Sequence, residues 1–418
     1  MGQVRWAGWT MAIATALVIS GAQARAQVTP LPASDMPAAI VVYPKIVVDT
    51  SGLLGPPTDT VIRLTNTNLN LSGDSNYQTI NVHCFYIDAN SHCTSDGSIC
   101  QNATTCGSGQ CVASCDETDF YIVLTQGQPI EWKASEGLAN SDLPLPYGVC
   151  AGNPFVHCGT GADCSIRNAG TTCTPSNSGT RIPPVSEDPF KGELKCIETN
   201  ADHVPVASND LKGEALLENL PTDSLDVASY NAIGIQAIAP AASPPTAITD
   251  NPLVLGGSGA DYQGCPNVLI LDNFFDQAID PIDGGAIYTD LTLVACSEDF
   301  ERQIGGSATV QYVVYNEFEQ RFSASKAVNC FQENEELCKI DTTQCARSIF
   351  AVGVEGTLTG QTVVYPVVNP SATLPSGLLG VAIESHGSSS AAFNLHFRGT
   401  RMDSAGNALS DLITLPAP

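Results

Sequence analysis

Four aspartates punctuate one short stretch: Asp272-Asn-Phe-Phe-Asp276-Gln-Ala-Ile-Asp280-Pro-Ile-Asp283-Gly-Gly. Carboxylates in a Gly-ended loop offer the hard oxygen ligands that Ca²⁺ takes, so Asp272, Asp276, Asp280 and Asp283 are a candidate calcium site, although their spacing is not that of an EF-hand. The competing reading is solvated turns, where aspartate bonds its own backbone. Three His-Cys steps, His83-Cys84, His92-Cys93 and His157-Cys158, set an imidazole beside a thiol, a zinc-binding combination when the thiol is ionised. In an oxidising compartment each of these cysteines pairs with another cysteine and leaves its histidine alone. Glu131, Glu136 and Glu193 are nameable as carboxylates for glycoside hydrolysis, but nothing in their spacing singles them out. The chain has no G-x-S-x-G elbow, no H-E-x-x-H and no P-loop, so no catalytic residue is assigned.

Cysteine carries the strongest pattern. There are 16, an even number, and no C-x-x-C. Cys93-x6-Cys100-x5-Cys106-x4-Cys111 is followed by Cys150-x7-Cys158-x5-Cys164-x8-Cys173. Both stretches are rich in Gly, Ser, Thr and Asn, too short to bury a core, and must be held by cross-links. They read as two copies of one module, each bridged within itself. Of the remaining cysteines, Cys338 with Cys345, and Cys296 with Cys330, are the expected pairs; spacing alone does not determine the rest.

The N-terminus supplies the matching compartment. Arg5, the apolar run Trp6–Ile19 and the small-x-small sites ending at Ala24 and Ala26 describe a secretory signal peptide over residues 1–26. No later stretch is apolar for the length of a membrane span. The chain is therefore expected in the periplasm or outside the cell. Net charge is −26, which disfavours a nucleic-acid partner, since that needs a basic face. Apolar residues are 43% and mean hydropathy is +0.05, enough for a sizeable core.

The elements that must position these residues have period two. Asp59–Asn66, Thr79–Ile87, Asp290–Val294, Ala308–Tyr315, Phe350–Val354, Thr362–Val368 and Ala392–Phe397 are β-branched or aromatic runs of strand length bounded by turn residues. Helical patterns are confined to short stretches near Asn273–Ile279 and Asn334–Leu337. The expected fold is all-β: two antiparallel β-sandwich domains, Ig-like or jelly-roll-like, at 27–245 and 246–418. The first carries the cysteine modules as loop inserts at 93–115 and 150–173. Three short repeats support duplication: Thr-Asp at 58, 118 and 289; Ser-Gly-Leu-Leu-Gly at 51 and 376; and Asp188–Glu193 echoed by Asn209–Glu214. The Pro/Ala-rich stretch 239–246 marks the boundary.

The modules, with Gly159-Thr-Gly-Ala-Asp163 before Cys164, resemble Cys-rich inserts in secreted proteins of deltaproteobacteria and myxobacteria. Tyr230–Gln236 and Asn267–Asp272 resemble β segments of a family of such proteins. The resemblance implies a bacterial, exported protein and no chemistry. The function expected from the residues is non-catalytic: a structural, adhesive or surface-interaction role, toward a surface protein or glycan, with no cofactor. The alternative is a carbohydrate-binding or carbohydrate-active protein using loop carboxylates with Ca²⁺. The poverty of tryptophan, with Trp132 alone beyond the signal peptide, weighs against that alternative, and Trp132 is expected in a core.

Overall fold

The computed structural model describes residues 31–53, 55–68, 80–100, 103–138, 148–158, 164–165, 168–175, 182–200, 202–220, 226–238, 246–282, 284–334, 336–351, 359–367, 372–387 and 389–416. The signal-peptide stretch, 239–245 and Asp283 lie outside the described residues. The fold is nearly all β, in antiparallel sheets with 3-10 turns between them.

In the first half the main strands are β1 (Ile40–Val48), β2 (Thr58–Asn66), β3 (Ile80–Asp88), β4 (Glu117–Leu124) and β5 (Pro129–Lys133). They continue with β6 (Phe190–Thr199), β7 (Leu211–Asn219), β8 (Val227–Asn231) and β9 (Ile233–Ile235). Two sheets form, β9-β1-β6-β3-β4 and β8-β7-β2-β5. Their facing side chains, among them Tyr43, Ile62, Leu64, Tyr86, Trp132 and Leu194, make one buried core. Alternation does the sorting. On β2, Ile62 and Leu64 turn inward, while Arg63 turns outward to Glu131 and Glu214. Trp132 is buried, and its indole N–H donates to the Tyr86 hydroxyl at 2.7 Å.

The five-stranded sheet has no solvent face at its centre. Every residue of β3 is buried. Its second face, with Ile40, Val42, Phe85 and Ile87, packs on Leu253, Tyr262, Val294, Phe300 and Leu379 from the other half. Phe85 and Phe300 stack at 3.9 Å between ring centroids. The two halves therefore share a core across this middle sheet.

The second half contains β10 (Pro266–Phe274), β11 (Ala286–Ala295), β12 (Ser307–Asn316), β13 (Arg321–Asn329) and β14 (Phe331–Asn334). Then follow β15 (Gly360–Val367), β16 (Leu378–His386), β17 (Ser389–Asn394) and β18 (His396–Thr400). These run β17-β16-β11-β14-β13-β12-β15-β10-β18 in one sheet, with Ala278–Ile279 paired to β11. Leu269 of β10, Leu293 of β11, Tyr312 of β12, Val364 of β15 and Leu378 of β16 share one core, so the sheet folds over upon itself.

Some sequence expectations change here. Asn273–Ile279 is no helix: Asn273 and Gln277 have φ of 53° and 58°, and the stretch leaves β10 as a turn. Helical structure near the second candidate starts later, as the 3-10 turn Leu337–Ile340. Phe350 is in a turn, and 352–358 lie outside the described residues. Thr289-Asp290 falls mid-strand in β11 rather than at its start. Of the first Ser-Gly-Leu-Leu-Gly copy, Ser51 lies in a turn and Leu53 and Gly55 in bends, whereas the second copy leads into β16.

Candidate functional site

The aspartates do not share a site among the described residues. Asp272 takes the Gln361 side-chain amide and lies 3.7 Å from His396 Nε2. Asp276 is buried and accepts the Cys338 N–H at 2.9 Å; burial pushes its carboxyl up to about 7. Asp280 faces His386 Nδ1 at 2.9 Å and accepts the Ile282 N–H at 2.7 Å. Asp283 lies outside the described residues. Among the described residues Asp272, Asp276 and Asp280 have three different partner sets, because the turn at Asn273–Gln277 sends Asp272 and Asp276 to different elements.

The first module is bridged Cys93–Cys106 and Cys100–Cys111. The second has the same first-to-third link, Cys150–Cys164; Cys173 is also disulfide-bonded, and the Cys158 side chain lies outside the described residues. Cys338 pairs with Cys345. The expected Cys296–Cys330 pair is corrected. Cys296 joins Cys265, and Cys330 joins Cys115 at the base of the first module. Cys296 ends β11 beside the small sheet carrying Leu253–Leu255, whereas Cys330, with φ of 48°, lies in the sharp turn between β13 and β14. Cys84 and Cys196 link directly opposed positions of β3 and β6.

Histidines pair with carboxylates. His83 meets Asp119 at 2.9 Å and stacks on Tyr121; its hydrogen bond holds the Asp119 carboxyl below its usual range. His386 lies between Glu384 and Asp280, which raise its pKa. Since Cys93 is bridged, His92 turns to Glu187 at 3.1 Å. Asp88, His92 and Glu187 bring ligand atoms within 4.8 Å of one another, two oxygens and an imidazole nitrogen. That donor set suits a divalent cation. Burial, with Glu187 alongside, pushes Asp88 up to about 7.

Charge concentrates where the halves meet. In β1, Pro44 cannot donate to the ladder, and the register slips between Tyr43 and Ile46. Such a bulge re-aims a side chain. Lys45 leaves the sheet toward the second half, and Tyr230 holds the bulge, its hydroxyl accepting the Lys45 N–H at 3.0 Å and donating to the Lys45 carbonyl at 2.6 Å. The Lys45 ammonium bonds Asp290 Oδ2 at 2.8 Å and Glu333. Lys191 bonds the other Glu333 oxygen at 2.8 Å. Burial opposes the charge on both, yet the two lysines draw the Glu333 carboxyl well down, and the two acids raise Lys45. A second crossing has Lys195 between Glu193 at 3.2 Å and Glu298 at 3.1 Å, all buried. Burial raises the pKa of both Glu193 and Glu298, and the Lys195 ammonium between them opposes that rise. Glu193 is thus tied to Lys195 and Glu131 to Arg63, the latter at 2.6 Å.

Two cavities flank the Lys45 cluster. One, of about 400 Å³, is lined by Lys45, Lys191, Asp290 and Glu333 with Asp226 and Ser390. The other, of about 730 Å³, includes Lys191 and Glu333 again, with Lys326, Lys339 and residues of the first module. Sequence reasoning missed this junction. Its one signal was Pro-Lys inside an otherwise apolar strand, a cation that must find acids when buried.

No family model, curated protein or solved structure matches this chain.

Proposed function

We propose that the chain is an exported, non-catalytic β-sandwich protein with a surface-interaction role, adhesive or structural, and that the first cysteine module is its recognition element. The observation that carries this reading is the Cys115–Cys330 disulfide, which fastens the module's base to the opposite half. The stem is also held by backbone bonds from Ala89 to Lys191 and from Ser114 to Asn90. A loop module presented this rigidly loses little ordering entropy when it binds. Export is supported by the disulfides. The test is binding of the full oxidised chain to a panel of glycans and intact cell surfaces. Replacing Cys93–Cys111 by a short Gly-Ser linker should abolish binding and leave the far-UV CD spectrum unchanged. Unchanged binding would overturn the assignment.

A second reading, carbohydrate binding, is favoured by exposed aromatics. Tyr288, Phe318, Phe322 and Tyr365 present their rings to solvent, and Phe318 and Phe322 border one hairpin turn. Loss of glycan binding on changing Phe318 and Phe322 to Ala would support it; retention would remove it.

A further inference from the structure

Asp88 ends β3, and His92 lies in the short strand Ser91–Cys93 that opens the first cysteine module. Residues two apart in extended chain point to one side, so Asp88, Asn90 and His92 turn the same way. Glu187, in the stretch before β6, meets Asn90 and His92 there. One oxygen from each acid and a ring nitrogen of His92 lie within 4.8 Å of one another. His92 Nε2 stands 3.2 and 3.1 Å from the two Glu187 oxygens. Donors bound about 2.1 Å from a tetrahedral zinc are about 3.4 Å apart, close to that separation.

Neither acid has a lysine or arginine partner among the described residues; Glu187 pairs with His92. Asp88 is buried, and the His92 and Glu187 side chains are 20% and 24% exposed. Two carboxylates so withdrawn from water need a counter-charge, which a neutral imidazole does not supply and a divalent cation does. Asn90, itself buried, holds both acids from outside. Its backbone N–H donates to Asp88 Oδ1 at 2.8 Å, and its side-chain amide donates to Glu187 Oε1 and to the Pro189 carbonyl. Outer partners of this kind orient the ligands of a metal. The other clusters of three ligating side chains among the described residues are built on cysteines already held in disulfides. Here every donor is free of a covalent bond, and one imidazole with two carboxylates suits zinc.

We propose that Asp88, His92 and Glu187 bind a Zn²⁺ ion that fastens the entry strand of the first module to the stretch before β6. Cys115–Cys330 holds the module's exit in the same way.

The full oxidised chain, stripped with EDTA, is titrated calorimetrically with ZnCl₂ and separately with CaCl₂. Zinc should bind at one ion per chain with a Kd of about 10 μM or tighter and raise the melting temperature. Calcium, which takes about six to eight oxygen ligands, should bind at least about tenfold more weakly. H92A and E187Q should each weaken zinc at least about tenfold, the loss expected when even an outer partner of a metal ligand is removed. H396Q, at the exposed histidine that opens β18, should bind zinc as the wild type does. In the wild type, which needs no variant to fold, zinc should protect His92 and not His396 from diethyl pyrocarbonate, read by peptide mapping. No zinc binding, full affinity in H92A and E187Q, an equal loss in H396Q, calcium as tight as zinc, or His92 modified at the same rate with zinc present would each overturn the zinc site. The glycan and cell-surface panel tests what the module binds and not what holds it, so its failure leaves this result standing.

Discussion

Cys115 and Cys330 are 215 positions apart and joined by a disulfide with 6.4 Å between their Cα atoms. The link runs from the base of a loop module in one half to the sharp turn between β13 and β14 in the other. It therefore cross-links two halves that also share the core on the outer face of β1 and β3.

Removing that link should loosen the junction without dissolving either sheet. C115A/C330A is expected to lose about 3 kcal/mol of stability, within the usual range for a native disulfide. The loss stays below the full value for so long a loop because Cys84–Cys196 already constrains the same chain. Urea unfolding of wild type and variant gives the number; a difference under about 1 kcal/mol would mean that the shared core alone holds the halves together.

Lys45 is the cation whose loss should cost most. K45M keeps the stem but leaves Asp290 and Glu333 buried together, with Lys191 serving Glu333 alone. Breaking a buried pair on one side costs about 3–5 kcal/mol. Asp290, already pushed up to about 6 by burial, would then rise further. An acid with a raised folded pKa loses stability as pH rises, so the K45M deficit should be larger at pH 8 than at pH 5. K45M/D290N/E333Q should recover most of it. Chemical denaturation at the two pH values measures both effects.

Buried acids set the pH response of the whole fold. Glu198 accepts the Asp210 N–H at 3.2 Å; burial, then the Asp210 charge, pushes it to about 8 against an ordinary 4.5. Glu193 and Glu117 also rise to about 8, mainly through burial. The folded state binds these protons more tightly than the unfolded chain. Their contribution is fully present below about pH 4.5 and is lost as pH climbs to about 8. Glu333, held low, acts oppositely, but only below its unfolded value. Melting temperature should therefore fall from pH 5 to pH 8. E198Q, which carries a neutral amide throughout, should match wild type near pH 5 and melt higher at pH 8. Parallel melting curves for the two proteins would refute the role of Glu198.

What the sequence made legible was local. Strands β2 and β12 follow runs of alternating residues, because a strand with one apolar face shows its period directly. That the first module bridges within itself, and that Cys338 pairs with Cys345, was legible because short loops lacking a core leave few partners; which cysteine of the module takes which was not. Cys115–Cys330 and Cys265–Cys296 depend on which strands become neighbours, which spacing does not encode. The same holds for the junction. Lys45, Asp290 and Glu333 come from three distant strands, and only the stacking of the halves brings them together. His83 and Asn81 alternate with apolar residues along β3, yet both are buried, His83 between Phe85 and Tyr121 of its own sheet.

One repeat noticed in the sequence has a steric meaning that a single pair of variants can check. Phe-Lys-Gly-Glu and Leu-Lys-Gly-Glu open β6 and β7, placing Gly192 and Gly213 third in each strand. A Cβ on Gly213 would stand 2.0 Å from the Tyr43 hydroxyl, and one on Gly192 would stand 2.0 Å from the Ile87 carbonyl oxygen. Neither glycine has positive φ, so space and not backbone freedom demands them. Tyr43 is fully buried and donates its hydroxyl to the Arg63 carbonyl at 2.7 Å, so the ring has nowhere to retreat. G213A should therefore lose about 2–3 kcal/mol, the cost of overpacking a filled core. G192A should lose more, since its neighbour is backbone in the β3–β6 ladder and cannot rotate away. Adding Y43F to G213A removes the nearest atom and should return part of the loss. Gly55 is the control: its Cβ would meet nothing within 4 Å, and G55A should melt with wild type. Thermal and urea unfolding of the four variants decide it; G213A as stable as G55A would show that the middle layers of this fold are looser than their packing implies.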